Sequence, residues 1–431
     1  MREQAAKLRR GDLLPRIVTP PPGPRARDLC HRLGEIEAPG INTLYGDRPN
    51  ILWQEALGSN VLDVDGNRYV DLTSGFGVAA VGHRHPRVVK AIRRQAATLI
   101  HGLGDAAGHL PRIELAQRLQ RLAPVDEAQI YFAVSGAEAV EIALKTALLA
   151  TGRRRILAFD PAYHGSTLGA LAATSRAEFR QPFASHLHPH LERLPYACDP
   201  GRIAAGLGRG EPFAAVLVEP IAGREGVLVP PPGWLKTLSD VCRDQGTLLI
   251  ADEIFTGCGR TGRWFAVEAD GVRPDLLCCG KGLTGGLPLA AVVGRKPLMA
   301  SWRTPGEALH TSTFVANPVA CAAAAAALDV IADEELPQRA SLLGDEVASR
   351  LRDWPSFDAV VDVRGTALLW GIELSSRELA SALTERARRQ GFLFLAGGPG
   401  GRVLQIVPPL TIHRRQLAAA LELLEEQLAN L

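Results

Sequence analysis

Six short apolar runs dominate the middle of this chain: QIYFAV (129–134), RILAF (155–159), AAVLVEP (214–220), TLLIAD (247–252), DLLCCG (275–280) and LAAVVG (289–294). Segments of helical pattern, among them AEAVEIALKTALLA and WLKTLSDVCRDQ, lie between them. Strands apolar on both faces that alternate with helices predict an α/β fold, a mainly parallel sheet with helices packed on each side. Such a sheet presents its ligand site at the carboxyl ends of its strands. The residues that follow each run are therefore where chemistry is expected.

The remaining chain is arranged around this sheet. Residues 1–30 are basic and run into TPPPGPRARDL, too rich in proline to join a regular element, and read as a flexible arm. Glu3, Asp12 and the lack of serine there argue against an organelle-targeting peptide. Residues 31–80 include ILWQEALGSNVLDVDGNRYVDLTSG, whose alternation about Asp65-Gly66-Asn67 predicts a short antiparallel meander packing with a smaller domain. Residues 81–335 make the large domain, which the alanine-rich helix ANPVACAAAAAALDVIADEE closes. Residues 336–431 read as helices alternating with strands near AVVDVRG, ALLWGIEL, FLFLA and RVLQIV, a small α+β domain.

A chain of 431 residues, 46% of them hydrophobic, is long enough for two domains. Its formal charge of +2 comes from nearly balanced acids and bases, which gives no electrostatic reason to expect nucleic acid or an anionic membrane as partner. The adjacent Cys278 and Cys279 do not resemble a spaced disulfide framework. With no secretory signal and no apolar run of about 20 residues, the expected location is the cytoplasm.

Three strand-end positions carry candidate chemistry. SGAE, Ser135–Glu138, opens a helix: Ser135 can cap it, Glu138 can complete a capping box, and Gly136 lets a ligand approach amides suited to phosphate. The same residues also serve as a plain cap. Asp252 and Glu253 end the run TLLIAD, and a carboxylate at a buried strand end is costly without a cation or hydrogen bonds. Either acid can be the functional one, and with no histidine or cysteine cluster nearby no metal is expected. Lys281 sits between Gly280 and Gly282 directly after DLLCC. Desolvation favours a neutral lysine amine, a nucleophile that forms Schiff bases with carbonyl compounds. A phosphate cradle, a strand-end carboxylate and a strand-end lysine on one sheet are the parts that hold pyridoxal 5'-phosphate.

These parts occur within a longer series of motifs: VDGNRYVDLTSG, GHRHP, SGAEAVEIALKTA, YHG, VEPI, LLIADEIFTGCGRTG, PDLLCCGKGLTGGLPLAAVVG, HTSTFVANPVA and VRGTALLWGIEL. In these the chain, from about Asn50 to its C-terminus, resembles the class-III aminotransferases, pyridoxal-phosphate enzymes of fold type I. The resemblance implies that Lys281 is the Schiff-base lysine and proton shuttle and that Asp252 pairs with the pyridinium nitrogen. It implies further that Ser135, Gly136 and Ala137 hold the phosphate, that Tyr163 and Ile254 pack on the two ring faces, and that His164 shapes the site. Thr313 matches a threonine that reaches the phosphate of the neighbouring subunit, which implies a homodimer with shared active sites. Glu219 either touches the cofactor and substrate region or is a buried structural carboxylate.

The chain departs from that pattern where substrate is read. Phe255 stands where many members have a glutamine that hydrogen-bonds the cofactor. Gln405 stands where many have a carboxylate-binding arginine, and Arg224 where many have the glutamate that masks that arginine. Both ends of one recognition device are changed, and Arg224 is expected either to take over carboxylate binding or to be an ordinary loop arginine. Tyr45, Phe76 and the pair Val315-Ala316 suggest a reshaped, partly apolar pocket. The expected activity is amino transfer from an amine or amino-acid donor, expected to bear a terminal amine, to an oxo acid or aldehyde by a ping-pong cycle. A racemase or aminomutase on the same scaffold, or an idle binding protein, are the alternatives.

Overall fold

The computed structural model describes residues 8–39 and 50–431. Its centre is a seven-stranded sheet in the order Ala128–Ala133, Ala290–Arg295, Leu276–Cys279, Leu248–Asp252, Phe213–Val218, Arg155–Asp160, Leu191–Pro195. Leu276–Cys279 through Leu191–Pro195 are mutually parallel, whereas Ala290–Arg295 is antiparallel to both its neighbours. The sheet is therefore mixed. The run LAAVVG follows Leu276–Cys279 after only a short glycine-rich turn, with no crossover helix between them, and a short connection returns the chain in the opposite direction.

Strand geometry sends alternate residues to opposite faces, and the core divides accordingly. Leu276 and Cys278, Ile250, and Ala215 and Leu217 pack with helix Gly136–Thr151 on one side. Leu277 and Cys279, Leu249 and Ala251, and Val216 and Val218 join the other face, with helix Trp234–Asp244 and the alanine-rich helix Pro318–Asp333. The adjacent cysteines thus point to opposite faces and both are free thiols.

Trp53–Leu57, Asn60–Asp63 and Arg68–Asp71 form the antiparallel meander, with Gly66 at φ +86° in its turn, a conformation glycine adopts without steric cost. Phe392–Leu393 adds to it as a parallel strand. Val360–Thr366, Leu369–Leu374, Val403–Ile406 and Leu395–Gly397 make a separate antiparallel sheet. Among the described residues no helix is long and apolar enough to cross a membrane.

The N-terminal arm is a correction. Within the described part of 1–30 the chain is not loose: Arg16 pairs with Arg68, and Asn67 Oδ1 accepts from the amides of Val18 and Thr19. Pro24–Gly34 is a helix whose first amides, of Arg25 and Ala26, donate to the Asp65 carboxylate. Proline is compatible with that start because the first helical N–H lacks an intrahelical partner in any case. The meander's polar turn supplies the acceptors that the arm's backbone needs.

Candidate active site

Ala128–Ala133 runs antiparallel to a strand that is itself antiparallel to Leu276–Cys279, so it points the same way as the parallel set. Six strands therefore end on one edge of the sheet, and five of them carry the candidate residues. These five deliver Ser135 and Gly136, Tyr163 and His164, Glu219, Asp252, and Lys281 respectively.

At the centre of that edge Asp252, 4% exposed, meets His164, 3% exposed. His164 Nδ1 lies 2.7 Å from Asp252 Oδ2, and the Ile254 amide donates to Oδ1 at 3.2 Å. A carboxylate only accepts, so Nδ1 carries the proton. The His164 amide is held by Thr174 Oγ1 at 3.0 Å. Its Nε2 is buried and has no partner among the described residues.

Lys281 follows the neighbouring strand in a left-handed conformation, φ +41°. Its Nζ stands 4.0 Å from the centre of the Phe255 ring, the residue found where a hydrogen-bonding glutamine was the family expectation. Desolvation draws the ammonium down to about 8, opposed by the charges of Asp252 and Glu219 and assisted by Arg224. Gly77 closes over the same ring: a Cβ there would meet Phe255 Cε2 at 2.9 Å and Lys281 Cδ at 3.8 Å.

Glu219 bridges two turns. Its Oε1 accepts from the Tyr163 amide at 2.8 Å and its Oε2 from the Gly223 amide at 3.2 Å, and burial raises its carboxyl to about 7. Glu253 turns away into the core, where it accepts from Thr256 Oγ1 and from the Val267 amide at 2.8 Å. Of the two strand-end acids it is Asp252 that faces this site.

Glu253 also reaches about 7 through burial, from an ordinary value of 4.5. Between those values the unfolded chain loses its proton while the folded chain keeps it, so stability falls as pH rises through that window. Glu253→Gln should reduce the fall, with Glu219 contributing the remainder. Urea midpoints of both proteins at about pH 5 and about pH 8 check this; an equal drop in both would assign it to other groups.

At the first strand end Ser135 Oγ accepts from the Glu138 amide at 3.2 Å, capping helix Gly136–Thr151. The expected capping box is only half formed. Glu138 Oε2 accepts from the Val134 amide at 2.7 Å and its Oε1 lies 3.3 Å from His310 Nε2, so a distant histidine draws the carboxylate past Ser135. Gly136 packs against Ile254, where a Cβ would sit 2.9 Å from Cδ1, and Ala137 beside it is in contact with Gly165.

Tyr163 carries the Arg224 guanidinium over its ring, 3.9 Å from the centre, with Phe179 also within 5.7 Å of it. Gln405 is buried and its Nε2 donates to the Gly223 carbonyl at 2.9 Å. The two substituted positions therefore touch through one turn. Phe76 is 67% exposed at φ +62° in the loop that carries Gly77. Thr313 is exposed beside Phe314, where its carbonyl faces Gly104. Tyr45 lies outside the described residues. Arg176, Glu225 and Phe179, which surround Arg224, were not singled out in the sequence. A buried acid such as Glu225 demands a cation, but nothing local indicates which one.

The chain matches the family model for class-III aminotransferases over residues 45–428. It is 37% identical to the acetylornithine aminotransferase of Methanothermobacter thermautotrophicus over 92% of its own length and 98% of that protein's. It is 34% identical to the alanine/serine racemase of Pyrococcus horikoshii over 96% of its length and 93% of that protein's. It superimposes, with a TM-score of 0.85 and 31% identity, on the ornithine aminotransferase of Toxoplasma gondii, covering 93% of this chain and 94% of that one; that crystal structure has pyridoxal phosphate at partial occupancy in its active site. A model match over most of the chain, and relatives aligned nearly end to end on the same fold, make this protein a member of the class-III, pyridoxal-phosphate-dependent aminotransferases.

Proposed function

We propose that the protein moves an amino group from a small donor with a terminal amine to an oxo acid or aldehyde, in two half-reactions that share one site. The observation that carries this is the juxtaposition, at adjacent strand ends, of a lysine drawn toward its neutral form and a buried Asp252–His164 pair. The residues fit pyridoxal phosphate. The buried Nε2 of His164 lacks a partner among the described residues, and Lys281 and the Asp252 carboxylate stand at the ends of paired strands beside it. When bound, this cofactor supplies an aldehyde that condenses with amines and a ring that accepts electrons.

The chain's own residues account for the rest. Lys281 Nζ would be the amine that holds the cofactor and, once freed by a donor, the group that carries a proton between the substrate carbon and the cofactor. Asp252, oriented by His164 and the Ile254 amide, would be the carboxylate that pairs with the ring nitrogen. Ser135, Gly136 and Ala137 would hold the phosphate, while Tyr163 and Ile254 would pack against the ring. A terminal-amine donor is in keeping with the ornithine and acetylornithine named for its relatives.

The working unit is a homodimer. Ile100, Leu103, Leu110, Ile113, Leu309 and Phe314 are each more than half exposed, and Ile100 and Leu103 are joined to the Thr313 segment through Asn317, Gly104 and the His101–Phe314 contact. An apolar surface of this kind is suited to a second copy, which would carry Thr313 to its neighbour's site. Free thiols at all seven cysteines support a cytoplasmic location.

The racemase relative favours a second reading, isomerisation of an amino acid. Purified holoenzyme treated with single amines and no acceptor distinguishes them. Loss of the visible cofactor band with particular donors, and its return on adding pyruvate or 2-oxoglutarate, is the expected result. Inversion of an amino acid without net nitrogen transfer would establish the isomerase instead.

A further inference from the structure

Arg224 is a guanidinium without a carboxylate. Among the described residues it makes no ion pair and no side-chain hydrogen bond, although it is exposed and stacked 3.9 Å above Tyr163. Glu225, its neighbour in sequence, is 1% exposed and committed elsewhere: its Oε1 accepts from Arg176 Nε at 2.8 Å. Arg176 and Arg224 share Phe179, with centroid distances of 5.5 and 5.7 Å, and the buried Glu225 beside them is bonded to Arg176. Stacking uses the π face of a guanidinium and fixes its plane, while the N–H edges stay available.

The turn that carries Arg224 is held at several points. The Gly223 amide donates to Glu219 and the Gly223 carbonyl accepts from Gln405. The Arg224 carbonyl accepts from the Gly398 amide at 3.2 Å, and Ala222 pairs with Leu228 across the turn. A fixed backbone therefore aims an uncommitted cation, and the Tyr163 on which it rests is anchored by the same Glu219. Its charge is felt at Lys281.

We infer that Arg224 binds the carboxylate of the acceptor oxo acid through its N–H fork, with Gln405 and Glu219 as positioning residues for its turn. This rests on the aminotransferase reading of the same site. Two matched pairs of acceptors test it, pyruvate against acetone and succinate semialdehyde against butanal, because in each a methyl group replaces the carboxylate. Arg224→Ala should lower kcat/KM for the acid that wild type prefers by about 10- to 100-fold, mainly through KM. Acceptors without a carboxylate should change by less than about threefold. Arg224→Lys, which keeps the charge and loses the fork, should fall between. Calorimetric titration of propionate into the holoenzyme gives a readout apart from turnover, and its Kd should rise by a similar factor in Arg224→Ala. Unchanged KM values for both acids and an unchanged propionate Kd, with nitrogen transfer intact, would overturn this inference alone. Absence of transfer from any donor to any of the four acceptors in wild type would overturn the aminotransferase reading beneath it.

Discussion

Lys281→Ala should lower kcat/KM for amino transfer by about 10⁴-fold or more, since it removes both the amine that holds the cofactor and the base that moves the substrate proton. The protein should remain folded. Lys281 Nζ makes no ion pair among the described residues, and alanine there meets the same left-handed backbone strain that lysine already bears at φ +41°. Removing a partly desolvated ammonium also takes away a group that folding penalises. Thermal melting of both proteins without cofactor, beside steady-state rates with a competent donor, separates the two effects. A variant with the wild-type melting midpoint and more than about one per cent of its activity would remove Lys281 from the mechanism.

Asp252→Asn should give the second largest loss, about 10²- to 10³-fold in kcat, the scale for deleting a preorganised charge beside a developing one. Asparagine preserves the shape, and its single oxygen can still accept from the Ile254 amide, while its NH2 group can face His164 Nδ1 once that imidazole carries its proton on Nε2 instead. What disappears is the negative charge at a residue only 4% exposed, where water cannot replace it. Asp252→Ala should additionally cost about 1–3 kcal/mol of stability, because it leaves His164 Nδ1 buried without its acceptor. A ring nitrogen bearing a permanent charge, as in N-methylated pyridoxal phosphate, should restore part of the rate in Asp252→Asn. Full activity of Asp252→Asn with the ordinary cofactor would mean that the carboxylate serves only to hold His164.

The site residues differ in how far the sequence alone leads to them. Asp252 and Lys281 were legible because each ends a strand so apolar that a charge there requires a reason. Ser135 was legible as a cap, and the outcome at Glu138 shows where that local reasoning stops. The carboxylate turns to Val134 because His310, 172 residues away, stands beside it. Gln405 and Arg224 were visible as departures from a family pattern, but their connection through Gly223, 182 residues from Gln405, was not.

One expectation about the fold was revised for a similar reason. The arm's prolines suggested an absence of structure, yet its backbone amides find Asn60, Asn67 and Asp65, acceptors some forty or more residues distant. The mainly parallel sheet was legible in its apolar runs, whereas the reversal of Ala290–Arg295 follows from a short connection rather than from its own apolar residues. An apolar strand reads the same in either direction.

What the sequence by itself determined is what short-range physics encodes: strands of period two, helices with their caps, and charged residues stranded at the ends of buried runs. Tertiary structure alone decided which of those charges meet. His164 comes to Asp252 across 88 residues and Arg176 to Glu225 across 49, leaving Arg224 stacked but unpaired among the described residues. Desolvation and hydrogen-bond geometry depend on every element that surrounds a group, and only the folded chain brings those elements together.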